Sequence, residues 1–182
     1  MSENPLLTKL YIHENYFSPD ECSRVIELAQ ERPGETGQIE KPVSENIRES
    51  SVRFIEADKN SEWIFKKLYK AVVEANRGFR FHLAGLEPLQ VANYSEGGHY
   101  DWHLDLGSEQ YTKRKLSASV QLCDDSSYEG GELEFKGIKN AEVPRGVGSL
   151  VIFPSYLLHR VKPVTRGLRQ SLVVWVNGNP FS

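Results

Sequence analysis

The sequence predicts a mainly β fold of the jelly-roll kind, supported by α-helices. Two amphipathic segments precede residue 80, and short strand-like segments separated by Gly, Pro, Asp and Ser follow from residue 89 onward. The composition, with 39% hydrophobic and 26% charged residues, is that of a globular protein. Many short strands at this spacing indicate a sandwich or barrel whose interior can hold a small ligand. A chain of 182 residues is expected to form one domain over 1–182, with a helical support region over 1–87 and a β core over 88–177.

The first helix has a clear start signal. Residues 8–13 are expected to form an opening strand, and Ser18-Pro19-Asp20-Glu21 then supplies an N-cap serine, a proline at the first helical position and a glutamate at the third. Pro33-Gly34 is expected to end this helix. Residues 33–50 carry Pro, Gly, Ser, Asn and Glu without periodicity, which predicts a long surface loop. Loops of that length are uncommon unless they are functional.

A second helix is predicted after a strand at 51–57. Apolar residues recur at intervals of three and four from Trp63 to Ala75, which is the spacing of one helix face. Asp58 to Ser61 would cap this helix, and Arg77-Gly78 would end it. We expect both helices to brace one outer face of the β half, whose predicted strands are 89–94, 99–104, 115–122, 131–136, 148–153, 157–163 and 168–176.

Charge and cysteine usage limit the possible partners and compartment. A net charge of -3 leaves no basic footprint for nucleic acid or an anionic membrane surface, so neither partner is expected. Cys22 and Cys123 lie outside any metal-binding spacing and are expected to be reduced. Residues 1–10 lack a secretory pattern, and no apolar stretch reaches membrane-spanning length. We therefore expect a reducing cytoplasm; the oligomeric state is not predicted.

His103 is the centre of a candidate metal site. In an extended segment, residues two apart project to the same side, so either Asp101 or Asp105 can share one ion with His103. The alternative is a solvent-facing strand with polar residues. His13 and His82 have no acidic partner two residues away, and His99 either lines the mouth of the site or ends a turn after Gly97-Gly98.

His159 and Arg169 supply the remaining groups of the candidate site. A lone histidine after an apolar run is more often a core residue than a ligand, but Arg169 follows it in the last predicted strand, with Ser171 on the same face. A guanidinium inside a β sandwich is costly unless a carboxylate meets it. A ligand carboxylate is a natural partner, because arginine binds that group through two parallel hydrogen bonds. Two imidazoles and one carboxylate on one face of a metal are the arrangement of non-haem Fe(II) enzymes that use dioxygen.

A series of short motifs resembles one enzyme family. In order, the segments are Asn93-Tyr94, Gly98-x-Tyr100-x-x-His103-x-Asp105, Tyr128-Glu129-Gly130-Gly131-Glu132-Leu133, Gly148-Ser149-Leu150-Val151-Ile152-Phe153-Pro154, His159-x-Val161 and Arg169-x-Ser171. Their order and spacing over about residues 88–177 are similar to the Fe(II)- and 2-oxoglutarate-dependent dioxygenases of the prolyl 4-hydroxylase-like superfamily. Within this superfamily, the motifs are most similar to those of PKHD-type hydroxylases.

The resemblance implies a double-stranded β-helix, which is a distorted jelly roll, with the N-terminal helices packed on its major sheet. It implies an enzyme that hydroxylates a C–H bond while 2-oxoglutarate and dioxygen yield succinate and CO2, with ascorbate as the reductant. An intact aspartate at position 105 favours hydroxylation, since related halogenases carry a small residue there. The implied metal ligands are His103, Asp105 and His159, and the implied cosubstrate residues are Arg169, Ser171, Tyr94 and Gln121.

The substrate is less well specified. Family analogy favours a peptidyl residue of the prolyl type, and Tyr100 and Trp102 are candidates for stacking on a ring-shaped substrate. Three alternatives stand beside it: a hydroxylase of a free amino acid or small metabolite, a nucleic-acid dealkylase, and a non-catalytic jelly roll that binds a metal or ligand. The dealkylase is disfavoured because Trp175 stands where such enzymes carry a second arginine.

Overall fold

Two antiparallel sheets enclose a cavity, and two helices cover the outer face of the larger sheet. The computed structural model describes residues 9–36, 47–138 and 142–179. Its helices are α1 (Pro19–Gln30) and α2 (Glu62–Phe79). Its strands are β1 (Tyr11–His13), β2 (Gly34–Thr36), β3 (Arg48–Glu49), β4 (Ser51–Ile55), β5 (Leu83–Leu86), β6 (Leu89–Tyr94), β7 (His99–His103), β8 (Arg114–Gln121), β9 (Tyr128–Gly130), β10 (Leu133–Phe135), β11 (Leu150–Pro154), β12 (His159–Val161), β13 (Val164–Gly167) and β14 (Arg169–Gly178).

The strand order is not the chain order, as is typical of a jelly roll. The larger sheet runs β1-β11-β8-β14-β6-β4-β2, and β5 pairs with the end of β14. The smaller sheet runs β10-β12-β7-β3, and β9 and β13 form a separate ribbon. Each of these pairings is antiparallel. The predicted mainly β architecture is therefore confirmed.

The first helix begins where the sequence predicts. Ser18 Oγ accepts the Glu21 backbone N–H at 3.2 Å, and Glu21 Oε2 accepts the Ser18 N–H at 2.7 Å, which completes a capping box. Its apolar face packs with that of α2 against the larger sheet. The buried residues of the two helices are Cys22, Val25, Ala29, Ile64, Leu68, Ala71, Val72 and Ala75.

The second helix starts after the predicted capping segment 58–61 but ends one residue later than predicted. Asp58 Oδ1 accepts the backbone N–H groups of Asn60 and Ser61, so Asp58 provides the start of α2 while Ser61 makes no capping bond with its side chain. The helix passes Gly78 and ends at Phe79. It ends there because Arg80 adopts the left-handed conformation at φ 60° and Asn76 exchanges two hydrogen bonds with the Phe81 backbone.

The expected loop over 33–50 is wrong at both of its ends. Residues 34–36 pair with β4 at the edge of the larger sheet, and residues 48–49 pair with β7 at the edge of the smaller one. Strands of two or three residues are too short to show an alternation of apolar and polar residues, and their partner strands are distant in sequence. The sequence of the segment itself therefore does not predict this pairing. Positions 37–46 of the expected loop lie outside the described residues.

Strand β14 shows how the larger sheet separates core from cavity. Leu172, Val174 and Val176 face the helices, whereas the alternate residues Ser171, Val173 and Trp175 line the cavity between the sheets. No helix in the described ranges has the length and apolar character needed to cross a lipid bilayer.

Candidate active site

Neighbouring strands of the smaller sheet bring the three predicted metal ligands together. His103 on β7 lies directly across from His159 on β12, and Asp105 follows β7 by two residues. Asp105 Oδ1 is 3.6 Å from His103 Nε2, and its Oδ2 is 3.5 Å from His159 Nε2. One ligand atom from each residue lies within 4.8 Å of the other two. Leu104, between the first two ligands, points outward and is 46% exposed.

Backbone carbonyls determine which nitrogen of each imidazole is available. His103 Nδ1 lies 2.7 Å from the Asp101 carbonyl oxygen, and His159 Nδ1 lies 2.8 Å from that of Leu157. A carbonyl only accepts, so each Nδ1 carries a proton, and the atom that a neutral ring offers to a metal is then the Nε2 that faces Asp105. Two neutral imidazoles and one carboxylate are a donor set that suits Fe(II), and hydrogen bonds of this kind orient metal-binding histidines.

The main chain after β11 holds Asp105 in position. The Ser155 carbonyl oxygen accepts the backbone N–H groups of Asp105 at 3.1 Å and of Leu106 at 2.9 Å. Ser155 is itself fully buried, with its Oγ 2.9 Å from Ser117 Oγ on β8. These bonds join the end of β7, in the smaller sheet, to two neighbouring strands of the larger sheet.

The electrostatics of the cluster favour an ionised Asp105 and a neutral His159 ring. Burial alone would raise the pKa of Asp105, but His159 and His103 together hold that pKa well below its ordinary value. Burial lowers the pKa of His159, which keeps the ring neutral and able to bind a metal. Burial, and then the charge of Asp105, raises the pKa of Tyr100, whose ring stacks on His103 with centroids 3.4 Å apart.

The other candidates from the sequence lie outside this cluster. Asp101 is exposed, and its Oδ1 accepts the Trp102 backbone N–H. His99 begins β7, with its Nδ1 2.9 Å from the Gly97 carbonyl oxygen. His13 and His82 are both exposed on other elements.

Arg169 is a fully buried cation, and no carboxylate in the described part of the chain pairs with it. Its side chain is 1% exposed. Gln121 Oε1 accepts its Nη2 at 2.8 Å, and Ser171 Oγ accepts its Nη1 at 3.4 Å. Its Nε has no hydrogen-bond partner among the described residues. The guanidinium carbon lies 5.4 Å from the ring centre of Tyr94 on the paired strand β6. The four residues predicted for the cosubstrate therefore form one cluster.

Tyr128 and Gly131 support Arg169 from behind, although the sequence singled out neither residue for this role. Gln121 Nε2 donates to the Tyr128 phenol oxygen at 2.7 Å, and Tyr128 is 2% exposed. Gly131 has a φ of +67°, and a Cβ there would lie 2.8 Å from Arg169 Cδ. The Gly130-Gly131 pair in the motif carried this signal, because a glycine with positive φ beside a buried side chain cannot be replaced freely.

One cavity joins the metal cluster to Arg169. It is lined by residues from both sheets, and the space within it, together with its mouth that is open to solvent, is about 450 Å³. Tyr100 contributes to the lining, as do two residues that the sequence did not assign to the site, Trp175 and Arg48. Trp102 does not line the cavity; its ring lies 4.6 Å from the Arg160 guanidinium and 5.8 Å from Lys136 Nζ.

Comparison with known protein families identifies relatives of the β core. The model of the 2OG-Fe(II) oxygenase superfamily matches residues 89–177. A PKHD-type hydroxylase of Acidovorax ebreus is 38% identical over 96 residues, which are 49% of this chain and 42% of that protein. A PKHD-type hydroxylase of Klebsiella pneumoniae is 33% identical over 126 residues, or 62% of this chain and 55% of that protein. The chain thus spans about half the length of these relatives.

Solved structures share the whole fold. A Pseudomonas putida prolyl-4-hydroxylase superposes with a TM-score of 0.76 at 20% identity, covering 96% of this chain and 95% of that one. A Trichoplax adhaerens prolyl hydroxylase, solved with a hypoxia inducible factor peptide fragment, superposes with a TM-score of 0.73 at 23% identity. This match covers 96% of this chain and 86% of that one. The predicted jelly roll with helices on its major sheet is confirmed by these likenesses.

Proposed function

We propose that the chain is a dioxygenase that hydroxylates an aliphatic C–H bond, and the match of residues 89–177 to the model of the 2OG-Fe(II) oxygenase superfamily supports this proposal. Its cosubstrates are 2-oxoglutarate and dioxygen, and its other products are succinate and CO2. The observation that carries the proposal is the pairing, in one cavity, of a two-histidine, one-carboxylate cluster with a buried arginine that lacks a carboxylate partner among the described residues.

His103, Asp105 and His159 are the residues that hold Fe(II) under this proposal. Their Nε2 atoms and carboxylate face one another, and the carbonyl-bound Nδ1 atoms leave Nε2 as the metal-binding atom of each ring. Three protein ligands on one side of an ion leave its other side open to small ligands. When bound, Fe(II) and 2-oxoglutarate supply the oxidising chemistry, and ascorbate serves as the reductant that keeps the metal ferrous.

Arg169 anchors the distal carboxylate of 2-oxoglutarate. Its buried guanidinium lies in a site where the effective dielectric constant is low, so a charge-assisted bond to a carboxylate is strong. Ser171 and Gln121 align the guanidinium, and the Tyr94 ring borders it. The end of the cavity at Arg169 therefore selects a dicarboxylate. The oxo-acid end of 2-oxoglutarate would bind at the histidine cluster, elsewhere in the same cavity.

The proposed substrate is a peptidyl residue of the prolyl type. Support comes from the likeness to prolyl hydroxylases, one of which was solved with a peptide, and from the Tyr100 ring that lines the cavity beside His103. Trp102 lies away from the cavity and is a weaker candidate for this contact. A free amino acid is the second candidate, because Arg48 places a second cation in the cavity.

Formation of succinate tests the proposed reaction. Purified protein with Fe(II), ascorbate and 2-oxoglutarate is expected to release succinate when candidate peptides or amino acids are added, and mass spectrometry is expected to find one added oxygen on the substrate. Arg169→Ala should raise the 2-oxoglutarate requirement by about 100-fold or more, because a buried charge-assisted contact is lost. Arg166→Ala is the matched control, since Arg166 is an exposed residue paired with Glu129. Failure of the wild type to bind 2-oxoglutarate in the presence of Fe(II) would contradict the proposal.

A further inference from the structure

Arg48 is a second buried arginine in the cavity of the proposed active site. It lies on β3, the edge strand of the smaller sheet, directly across from Tyr100 on β7. The side chain is 7% exposed and lines the same cavity as the metal cluster and Arg169. Its Nε donates to Ser50 Oγ at 2.8 Å, whereas its Nη2 is buried without a hydrogen-bond acceptor among the described residues.

The two arginines of the cavity lack the carboxylate partners that five other arginines have. No carboxylate in the described ranges forms an ion pair with Arg48 or Arg169. Five other arginines do form ion pairs: the pairs are Arg32–Asp58, Arg114–Glu87, Arg145–Glu132, Arg160–Glu134 and Arg166–Glu129. A buried guanidinium with an unsatisfied N–H group is costly, so an acceptor brought by a ligand would remove that cost.

The charges around the cavity leave one positive charge for a substrate to neutralise. Among the lining residues, Arg48 and Arg169 are positive and Asp105 is negative, and a histidine that binds a metal does so as the neutral ring and adds no charge. Fe(II) and the 2-oxoglutarate dianion cancel each other. The loaded site then carries a net charge of +1, and Arg169 is already matched to the cosubstrate.

The position of Arg48 links this charge to the reacting centre. Its guanidinium carbon lies 4.8 Å from the Tyr100 ring centre, and the Tyr100 ring lies 3.4 Å from that of His103. Arg48, Tyr100 and His103 thus form one stacked column that ends at a metal ligand. A group bound to Arg48 would lie next to the substrate atoms that approach the metal.

We infer that Arg48 binds a carboxylate of the primary substrate, which therefore carries that carboxylate close to the C–H bond that is hydroxylated. The inference rests on the proposed function and narrows its substrate class. A free amino acid and a C-terminal peptide residue both present this chemistry. An internal residue of a peptide chain presents only neutral amides.

Binding of matched acids and amides tests the inference without turnover. The probes are the N-acetyl derivatives of the twenty amino acids as free acids and as primary amides, titrated calorimetrically into anaerobic protein loaded with Fe(II) and 2-oxoglutarate. At least one acid is expected to bind about tenfold or more tightly than its amide, since a charge-assisted bond is formed only by the acid. The free amino acid and a dipeptide with the same C-terminal residue then distinguish the two sources of carboxylate.

Substitution of Arg48 assigns the preference to this residue. Arg48→Gln is expected to reduce the preference for the acid to parity, and Arg48→Lys to retain part of it, with 2-oxoglutarate affinity unchanged in both. Arg166→Gln is the surface control. Equal affinities within every pair, no binding of any acid up to about 10 mM, or an unchanged preference in Arg48→Gln would overturn the inference. If the wild type did not bind 2-oxoglutarate, that result would instead overturn the proposed function.

Discussion

Replacing Tyr128 with phenylalanine tests how far the support behind Arg169 determines cosubstrate affinity. The phenol oxygen accepts Gln121 Nε2 at 2.7 Å, and Gln121 Oε1 accepts Arg169 Nη2 at 2.8 Å. Tyr128 is 2% exposed, so bulk water has little access to the position of the lost oxygen. A buried donor left without an acceptor costs about 1–3 kcal/mol.

Part of that cost is expected to appear as weaker binding of 2-oxoglutarate. In Tyr128→Phe, the Gln121 amide regains a hydrogen bond by rotating toward another acceptor. Its oxygen then moves away from Arg169, and the guanidinium loses its alignment. An energy of about 1–3 kcal/mol corresponds to about a 5- to 100-fold loss of affinity. Calorimetric titration of 2-oxoglutarate into anaerobic Fe(II)-loaded protein measures this loss directly.

A double-mutant cycle separates the relay from general destabilisation. With Gln121 already replaced by leucine, Tyr128→Phe should weaken 2-oxoglutarate binding no further, because its effect passes through Gln121. Tyr69→Phe is the matched control, since Tyr69 is 55% exposed. A Tyr128→Phe protein with a lower melting temperature but wild-type 2-oxoglutarate affinity would refute the relay.

Three further substitutions have expected outcomes. Gly131→Ala places a Cβ 2.8 Å from Arg169 Cδ at a φ of +67°. It should therefore destabilise the fold by about 1–3 kcal/mol and weaken 2-oxoglutarate binding. Gly137→Ala is the control, because its Cβ would meet no atom within 4 Å and only the cost of the backbone conformation remains. Asp105→Ala should lose Fe(II) binding in equilibrium dialysis while circular dichroism stays unchanged; retained binding would exclude Asp105 as a ligand. The ion pair with Arg32 lowers the pKa of Asp58 to about 2, and since the unfolded carboxyl titrates near 3.8, its stabilisation is present above that pH and lost as pH falls toward 2. Asp58→Ala should therefore lower the melting temperature more at pH 7 than at pH 2, where only the capping bonds of Asp58 are still lost, and equal shifts at both would contradict this.

Local signals in the sequence predicted the helices and the long strands correctly. The Ser18 capping box and the apolar spacing of α2 depend on residues three or four apart, so the chain itself carries the information. Strand β14 has ten residues, long enough for alternation to place Arg169 and Ser171 inside. The same alternation, carried two steps further, would have identified Trp175 as a cavity residue.

Arg48 and Tyr128 show what local signals leave out. Arg48 lies on a strand of two residues whose pairing partner, Tyr100, is 52 positions away, and its segment has the composition of a loop. Tyr128 acts through Gln121, on a different strand of a different sheet. Contacts between elements decide both roles, and a residue's own neighbours in sequence do not encode them.

A bulge in β7 explains which carboxylate and which aromatic ring reach the site. His159 lies across from His103 and Val161 across from Tyr100, so the three residues 159–161 of β12 lie across from the four residues 100–103 of β7. Strict alternation would place Asp101 beside His103 and turn Tyr100 away. The bulge instead puts Tyr100 on the same face as His103, where it stacks, and leaves Asp101 exposed with its carbonyl oxygen accepting the His103 Nδ1 proton. The one extra residue therefore converts Asp101 from a competing carboxylate into the backbone group that orients His103, and it frees the metal-facing side for Asp105.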